Sequence, residues 1–343
     1  MANNIQEAFI EFHSNIKLDF ESNQELVDKR DMIIDEIRTY LKKKAEDEGV
    51  NVSFTSENQG SYAMSTGIEP LDGEDYDIDI MLLFNIAKED YTAKEVKQWV
   101  FNALDKYPRT VEIKKPCVRV QYHQAGETLY HVDLAVYSNG NNDDNKYLSK
   151  KPKYASDNEE WEDAEPKKLK SLVNGKFPVT EERHQFKRCI RDLKRWKDLK
   201  FKYTEGGKPT GISITALALN GFVPKVDYNA FTNSFKPNDL VAIKDLVIYI
   251  LNQFTWSDNI EVNLPVKPYN NLFEKMTDIQ KENFKEKLTD LKDKLIEANN
   301  ETDPNKASKI LIKAFGKDFP EITKKESAQV SAAPAIVSSP DQA

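Results

Sequence analysis

Apolar positions follow a helical rhythm at the start of the chain. Leu26, Ile33, Ile37 and Leu41 recur at spacings of seven and four, laying one apolar stripe along a helix-forming stretch from about Ile5 to Glu48. Ser22 or Asn23 is placed to cap that helix and Gly49 to end it. The period then shortens. Val50 to Phe54 predicts a first strand and Asp77 to Phe84 a second. In the second, Ile78, Ile80, Leu82 and Phe84 share one face while Asp77 and Asp79 share the other, because successive strand residues point to opposite sides. After a helix around Ala93 to Leu104, Val118, Val120 and Tyr122 alternate with polar residues. A turn over Gln124 to Thr128 leads to Tyr130, Val132, Leu134 and Val136, which alternate again, so the segment reads as an antiparallel hairpin. Asp133 lies on the non-apolar face of its second strand, with His131 and Ala135 as same-face neighbours.

From Ser138 to about Asp163 the chain is polar and reads as a loop crossing between domains. The pattern beyond it is helical. Glu182 to Leu199 sets Phe186, Cys189, Ile190, Leu193 and Trp196 on one side and Lys187, Arg191 and Lys194 on another. A second helix begins near Thr210, a third spans about Asp239 to Phe254, and Phe284, Leu288, Leu291 and Leu295 stripe a fourth. The expected organisation is α+β in three parts: 1–155, a sheet domain with an N-terminal helix; 156–323, a mainly helical domain; and 324–343, a flexible tail. The tail contains no aromatic residue and offers too little apolar surface to order itself. No internal repeat suggests a solenoid or propeller.

Composition narrows the functional classes. At 343 residues, 39% hydrophobic and 31% charged, the chain is large enough for two moderate cores with a well-solvated surface. A formal charge of −8 argues against a long nucleic acid as partner, since proteins that track one usually present a net basic face. Lys and Arg gathered around one pocket can still serve nucleotide phosphates. Two cysteines, Cys117 and Cys189, no apolar run near the ~20 residues a membrane span needs, and no N-terminal signal segment predict a reduced, cytoplasmic setting without a membrane.

The informative constellation is Gly60-Ser61, fifteen intervening residues (62–76), Asp77-Ile78-Asp79 on a strand, and a distant Asp133 in an otherwise apolar strand. Nucleotidyl transfer needs an ionised hydroxyl and a neutralised triphosphate, and two divalent ions held by carboxylates can serve both ends of the displacement. Magnesium favours oxygen ligands and keeps waters or phosphates in its shell, which suits a few Asp side chains. Gly60 would let backbone N–H groups approach a phosphate and Ser61 could donate its hydroxyl.

These residues resemble the nucleotidyltransferase superfamily signature. More narrowly, Gly60-Ser61-Tyr62-Ala63-Met64-Ser65-Thr66-Gly67 through Tyr76-Asp77-Ile78-Asp79 is similar to the bacterial relatives of cyclic GMP-AMP synthase, the CD-NTases of CBASS antiphage operons. Lys194-Arg195-Trp196-Lys197 and Lys208-Pro209-Thr210-Gly211-Ile212-Ser213-Ile214-Thr215 extend the likeness over roughly residues 50 to 220. The resemblance implies a polymerase-β-like sheet domain joined to a helical one. It implies nucleoside triphosphates as donor and acceptor, two Mg²⁺ ions with Mn²⁺ as a substitute, and a cyclic di- or trinucleotide product read by a downstream effector. Asp77, Asp79 and Asp133 would be the catalytic, metal-binding carboxylates. Gly60, Ser61, Lys194, Thr210 and Ser213 would bind the nucleotide, and operon-encoded regulators could act on the tail. The fifteen-residue spacer is longer than the family's.

Plainer readings stand beside these. Asp75 offers a second Asp-apolar-Asp pair with Asp77; the Lys187, Arg191 and Lys194 face would keep a helix soluble; Trp196 would pack in a core while Tyr62 and Tyr76 stack a base. His131 reads as structural before it reads as a base or ligand. An RNA-tailing enzyme of the poly(A) or CCA-adding kind would use the same triad but need a basic RNA-binding surface, and a non-catalytic nucleotide-binding module usually shows a damaged triad.

Overall fold

The computed structural model describes residues 2–19, 23–114, 117–124, 127–138, 153–155, 160–201 and 207–323. Their fold is α+β. One mixed sheet holds strands β1 (Phe54–Asn58), β2 (Tyr76–Phe84), β3 (Arg109–Ile113), β4 (Val118–Gln124) and β5 (Glu127–Ser138) in the order β1-β2-β5-β4-β3. Only β2 and β5 run parallel; the register sets Asp77 beside His131 and Asp79 beside Asp133. Strand β4 ends opposite Leu134, and a short β6 (Lys153–Ala155) joins the same edge of β5 at Tyr137 and Ser138, with β7 (Trp161–Asp163) outside it.

The alternation in β2 is realised in burial: Ile78, Ile80, Leu82 and Phe84 are fully buried. They meet Val118, Val120, Val132, Leu134 and Val136 on the same face, covered by α2 (Gln24–Glu48) and α4 (Ala93–Leu104). The stripe Leu26, Ile33, Ile37 and Leu41 is the buried face of α2, whose N-cap is Asn23, accepting from the Leu26 N–H, and whose end is Gly49 in the left-handed conformation. Helix α4 carries a reciprocal capping box between Thr92 and Glu95. With one sheet face sealed in this way, the carboxylate face is left for the site.

The N-terminal stretch is not a single helix. Helix α1 (Ala2–Ile16) sends Phe9, Phe12 and Ile16 into a second apolar cluster, where the two Phe rings pack on Phe315 and Phe319. No straight helix could serve that cluster and the sheet together, and the chain breaks between the two. The second cluster is built by α6 (Thr180–Lys200), α7 (Gly211–Gly221), α8 (Asp239–Leu251), α9 (Asp278–Asn300) and α10 (Pro304–Phe315). Trp196 is fully buried in it, as its helix face predicts.

Other expectations shift. Strand β1 begins at Phe54, where pairing with Phe84 becomes available; Val50 and Val52 pack on the core without joining the sheet. The polar stretch expected as a loop contributes β6 and β7, because β5 outruns β4 and exposes an edge. Strand β3, α5 (Pro166–Asn174) and α10 carried no signal that was read from sequence. The tail 324–343 lies outside the described residues. No helix among the described residues is long and apolar enough to cross a membrane.

A buried ion pair ties the helical cluster together. Asp239, at the first turn of α8 and fully buried, accepts from Arg188 Nε at 2.6 Å, Arg188 Nη2 at 3.1 Å and Gln185 Nε2 at 3.0 Å, while its own N–H donates to Gln6 of α1 at 2.7 Å. Removing one partner of such a pair strands a charge in a low-dielectric interior. Asp239→Ala is expected to lower unfolding free energy by about 3–5 kcal/mol in urea melts; a loss below about 1 kcal/mol would show that the junction does not depend on this pair.

Candidate active site

A cleft of about 1140 Å³ opens between the carboxylate face of the sheet and the helical cluster. That exceeds the ~300–1,000 Å³ usual for a single small ligand, so there is room for more than one nucleotide-sized group. Asp77, Asp79 and Asp133 line its sheet wall, Gly60 and Ser61 one rim, and Lys194, Thr210 and Gly211 the helical wall.

Two strands bring the carboxylates together. Asp79 and Asp133 are neighbours across parallel strands, and Asp77 is next but one to Asp79 on the same face. The cost is like charge in a recess. Burial, with Asp77 and Asp133 close by, pushes the Asp79 carboxyl far above the usual carboxylate range, and among the described residues that carboxyl accepts no side-chain hydrogen bond. Its place is made by Gly60 at the start of α3 (Gly60–Ala63). A Cβ built there would fall 1.9 Å from Asp79 Oδ2, and Gly60 has φ +62°. Glycine is required at that position on two counts, space and backbone.

Counter-charges meet the other two. Arg119, directly opposite Asp133 on β4, donates from Nε and Nη2 to its two carboxylate oxygens, each at 2.6 Å, and this hydrogen-bonded pairing raises the guanidinium pKa further. His131 lies between Asp75, 2.6 Å from Nδ1, and Asp77, 2.9 Å from Nε2. Burial opposes a charge on the ring, but the hydrogen bonds to Asp75 and Asp77 outweigh it and carry its pKa up to about 9. The bond to His131 in turn holds the Asp75 carboxyl below its ordinary value. Cys117 also lines the cleft, its thiol pushed up by burial and by Asp133. Arg119 has no sequence signal, and its pairing with Asp133 is visible only once strand register is known; Asp75, legible as an Asp-apolar-Asp partner of Asp77, instead holds His131.

The helical wall engages the loop that follows Gly60-Ser61. Arg191 donates to the carbonyls of Gly67, at 3.0 Å, and Ser65; Lys194 Nζ donates to Thr66 O at 2.9 Å and Oγ1 at 3.1 Å; Arg195 donates to Glu69 O at 2.9 Å. The basic face of α6 is therefore neither a solvated surface nor, in this state, a free cation. Lys194 is 5% exposed, and burial, with Lys197 and Arg191 nearby, lowers its pKa to about 7. Thr210 caps α7 by accepting from Ser213 N–H at 3.2 Å. Ser213 is fully buried, returns its hydroxyl to Thr210 O at 2.7 Å, and is not among the residues lining the cleft. Its position one turn inside the helix aims it at the backbone, so a direct nucleotide contact is not what the geometry offers. Tyr62 and Tyr76 both line the cleft, Tyr76 donating to Glu69 at 2.9 Å.

A divalent ion fits this donor set. Asp79 resists ionising beside Asp77 and Asp133, a penalty that a bound cation would relieve, and one ligand atom each from Asp77, His131 and Asp133 lie within 4.8 Å of one another. Residues 54–137 match the family model for the nucleotidyltransferase domain described as cyclic GMP-AMP synthase DncV-like. Residues 54–137 are thus similar to DncV-like nucleotidyltransferase domains, and the fold is that of Vibrio cholerae DncV, of the polymerase-β-like kind. A cyclic GMP-AMP synthase of Escherichia albertii is 27% identical over 168 residues, an alignment that spans 46% of this chain and 35% of that relative. Vibrio cholerae DncV in its 3′-deoxy GTP-bound form superposes with a TM-score of 0.69 at 16% identity, covering 91% of this chain and 96% of that one. The same enzyme in complex with the linear intermediate 5′-pppA(3′,5′)pG gives 0.66 at 16% identity over 92% and 94%. At these identities the structural likeness is one of fold.

Gly60→Ala and Gly49→Ala separate strain from site geometry. Both glycines have positive φ, but nothing lies within 4 Å of a Cβ at Gly49. Each substitution should cost about 1–2 kcal/mol of stability, whereas only Gly60→Ala should displace Asp79 and weaken divalent-ion binding, by about ten-fold in calorimetric titration. Equal ion affinity in the two variants would contradict the packing of Asp79 on Gly60.

Proposed function

We propose that this chain is a template-independent nucleotidyltransferase that joins nucleoside triphosphates into a cyclic di- or trinucleotide messenger. The observation that carries the reading is the placing of Asp77, Asp79 and Asp133 on one face of two adjoining strands, across a cleft from Lys194 and beside Gly60-Ser61. The DncV-like domain match supports it, as does the volume of a cleft able to take a donor and an acceptor together. Asp77, Asp79 and Asp133 would hold the divalent ions, Mg²⁺ with Mn²⁺ as a substitute, which supply neutralisation of the triphosphate and acidification of the attacking hydroxyl.

The chain's own residues supply the remainder. Ser61 presents a hydroxyl at the rim, and the glycine before it lets a phosphate approach the backbone. Lys194 would exchange its carbonyl partners for a phosphate oxygen, and Thr210 would frame the pocket through the start of α7. The chain divides into units at 1–155 and 156–323, and α1 of the first packs Phe9, Phe12 and Ile16 among the helices of the second. A cytoplasmic setting, a role in antiphage defence, an effector for the product and regulators acting on 324–343 belong to the same proposal.

Incubating the full chain with all four nucleoside triphosphates and Mg²⁺, followed by phosphatase and mass spectrometry, tests the reading. A phosphatase-resistant oligonucleotide is expected because a ring has no terminal phosphate; linear tails, or no consumption, would overturn it. Asp79→Asn and Asp133→Asn should each abolish turnover with the fold retained, and turnover within a few-fold of the parent would remove them from the machinery. Lys194→Ala should weaken triphosphate binding by about 1.5–3 kcal/mol.

Lys194 also sets a pH dependence. With its pKa near 7 in the free protein, binding an anionic phosphate favours the charged form, and above that pH a proton must be taken up on binding. KM for the triphosphate should therefore rise between pH 7 and 9 in the parent and stay flatter in Lys194→Arg. The same slope in both would exclude Lys194 as the titrating group.

A further inference from the structure

The donor set on the carboxylate face is not all oxygen. The three groups whose ligand atoms approach within 4.8 Å of one another are Asp77, His131 and Asp133, whereas Asp79 lies against Gly60 outside that trio. Register explains it: His131 is the direct neighbour of Asp77 across the parallel pair, as Asp133 is of Asp79. The His131 side chain is only 13% exposed, so its ring is held in place by packing as well as by its partners.

The second feature is behind the ring. Asp75 binds Nδ1 at 2.6 Å from the residue just before β2, which leaves Nε2 as the nitrogen facing the site, 2.9 Å from Asp77 Oδ1. A carboxylate on the far nitrogen of an imidazole is the arrangement that orients metal-ligating histidines and raises their basicity. Arg119 engages the Asp133 carboxylate from the β4 side, whereas His131 engages Asp77 directly.

We propose that His131 Nε2 is a ligand, together with Asp77 and Asp133, of the divalent ion at this site, with Asp75 as its positioning residue, and that the site thereby favours first-row divalent cations, which accept a nitrogen donor, over Mg²⁺. This rests on the metal-binding reading of the carboxylate face given above. An imidazole nitrogen adds affinity for first-row divalent ions, least for Mn²⁺ and more for the later ones, while Mg²⁺ takes oxygen donors and parts reluctantly with water. In the ion-free state Nε2–H donates to Asp77 and keeps both side chains near the site; the ion would take the place of that proton, which leaves to solvent.

The test uses the full chain and Mn²⁺ alone as probe. Electron spin-echo spectroscopy of bound Mn²⁺ should show hyperfine coupling to an imidazole ¹⁴N in the parent, lost in His131→Gln. Calorimetry should show Mn²⁺ bound at least ten-fold more tightly than Mg²⁺. Asp75→Asn should weaken Mn²⁺ binding by about 10–100-fold. Mn²⁺ bound in a manner that Asp77→Asn abolishes, but with no ¹⁴N coupling and with His131→Gln at parental affinity, would overturn this inference and leave the carboxylate reading standing. Failure of the parent to bind Mn²⁺ or Mg²⁺ at all would instead overturn both. Because the spectroscopic result is read on the parent itself, a variant that fails to fold does not remove the test.

Discussion

Like charge held at close quarters is the constraint on which this structure turns. Parallel pairing of β2 and β5 makes Asp79 and Asp133 neighbours and puts Asp77 on the same face, an arrangement of like charges least screened at the buried Asp79. It persists because the opposite face of the same strands is sealed against α2 and α4 by an unbroken set of buried aliphatic side chains. Each carboxylate is then managed separately. Asp133 is matched by Arg119, Asp77 by His131, and Asp79, with no such partner among the described residues, is recessed against Gly60. An acidic face so arranged has charge to share with a divalent ion, and its chemistry follows from that surplus.

The same constraint couples the helical half to the sheet. A loop carrying phosphate-directed groups would be poorly placed if it were free, and α6 fixes it by donating from Arg191, Lys194 and Arg195 to the carbonyls of residues 65–69. Charge-assisted bonds to backbone carbonyls leave the loop's N–H groups unused by that helix. Helix α6 is in turn locked to α8 and α1 through Arg188, Asp239 and Gln6. The cleft between the halves is thus bounded by elements whose relative placement depends on buried polar contacts as well as on apolar ones.

Much of this was legible before any coordinates. Alternation around Ile78 to Phe84 predicted which face of β2 is buried, and the Asp-apolar-Asp spacing predicted convergence of Asp77 and Asp79. The stripe from Leu26 to Leu41 and the core position of Trp196 were likewise readable, because each depends on a period that the residues themselves carry. Pairings across strands depend on register instead. Arg119 with Asp133, and His131 with both Asp75 and Asp77, join residues between 14 and 56 positions apart and leave no local signature. The division of the N-terminal stretch into α1 and α2 escaped for a related reason: both halves are helix-forming, and only the tertiary destinations of Phe9 and Phe12 distinguish them. Lys194 is legible as a cation of interest, but its present partners are the carbonyl and hydroxyl of Thr66, 128 residues away.

Diffraction from crystals grown with Mn²⁺ and a non-hydrolysable nucleoside triphosphate tests the central claim most directly, since the anomalous signal locates the ions without assumption. The account predicts Mn²⁺ peaks coordinated by the Asp77, Asp79 and Asp133 carboxylates, with the triphosphate between them and Ser61 and Lys194. Ions found only elsewhere, or a triphosphate bound away from the Gly60-Ser61 rim, would contradict it.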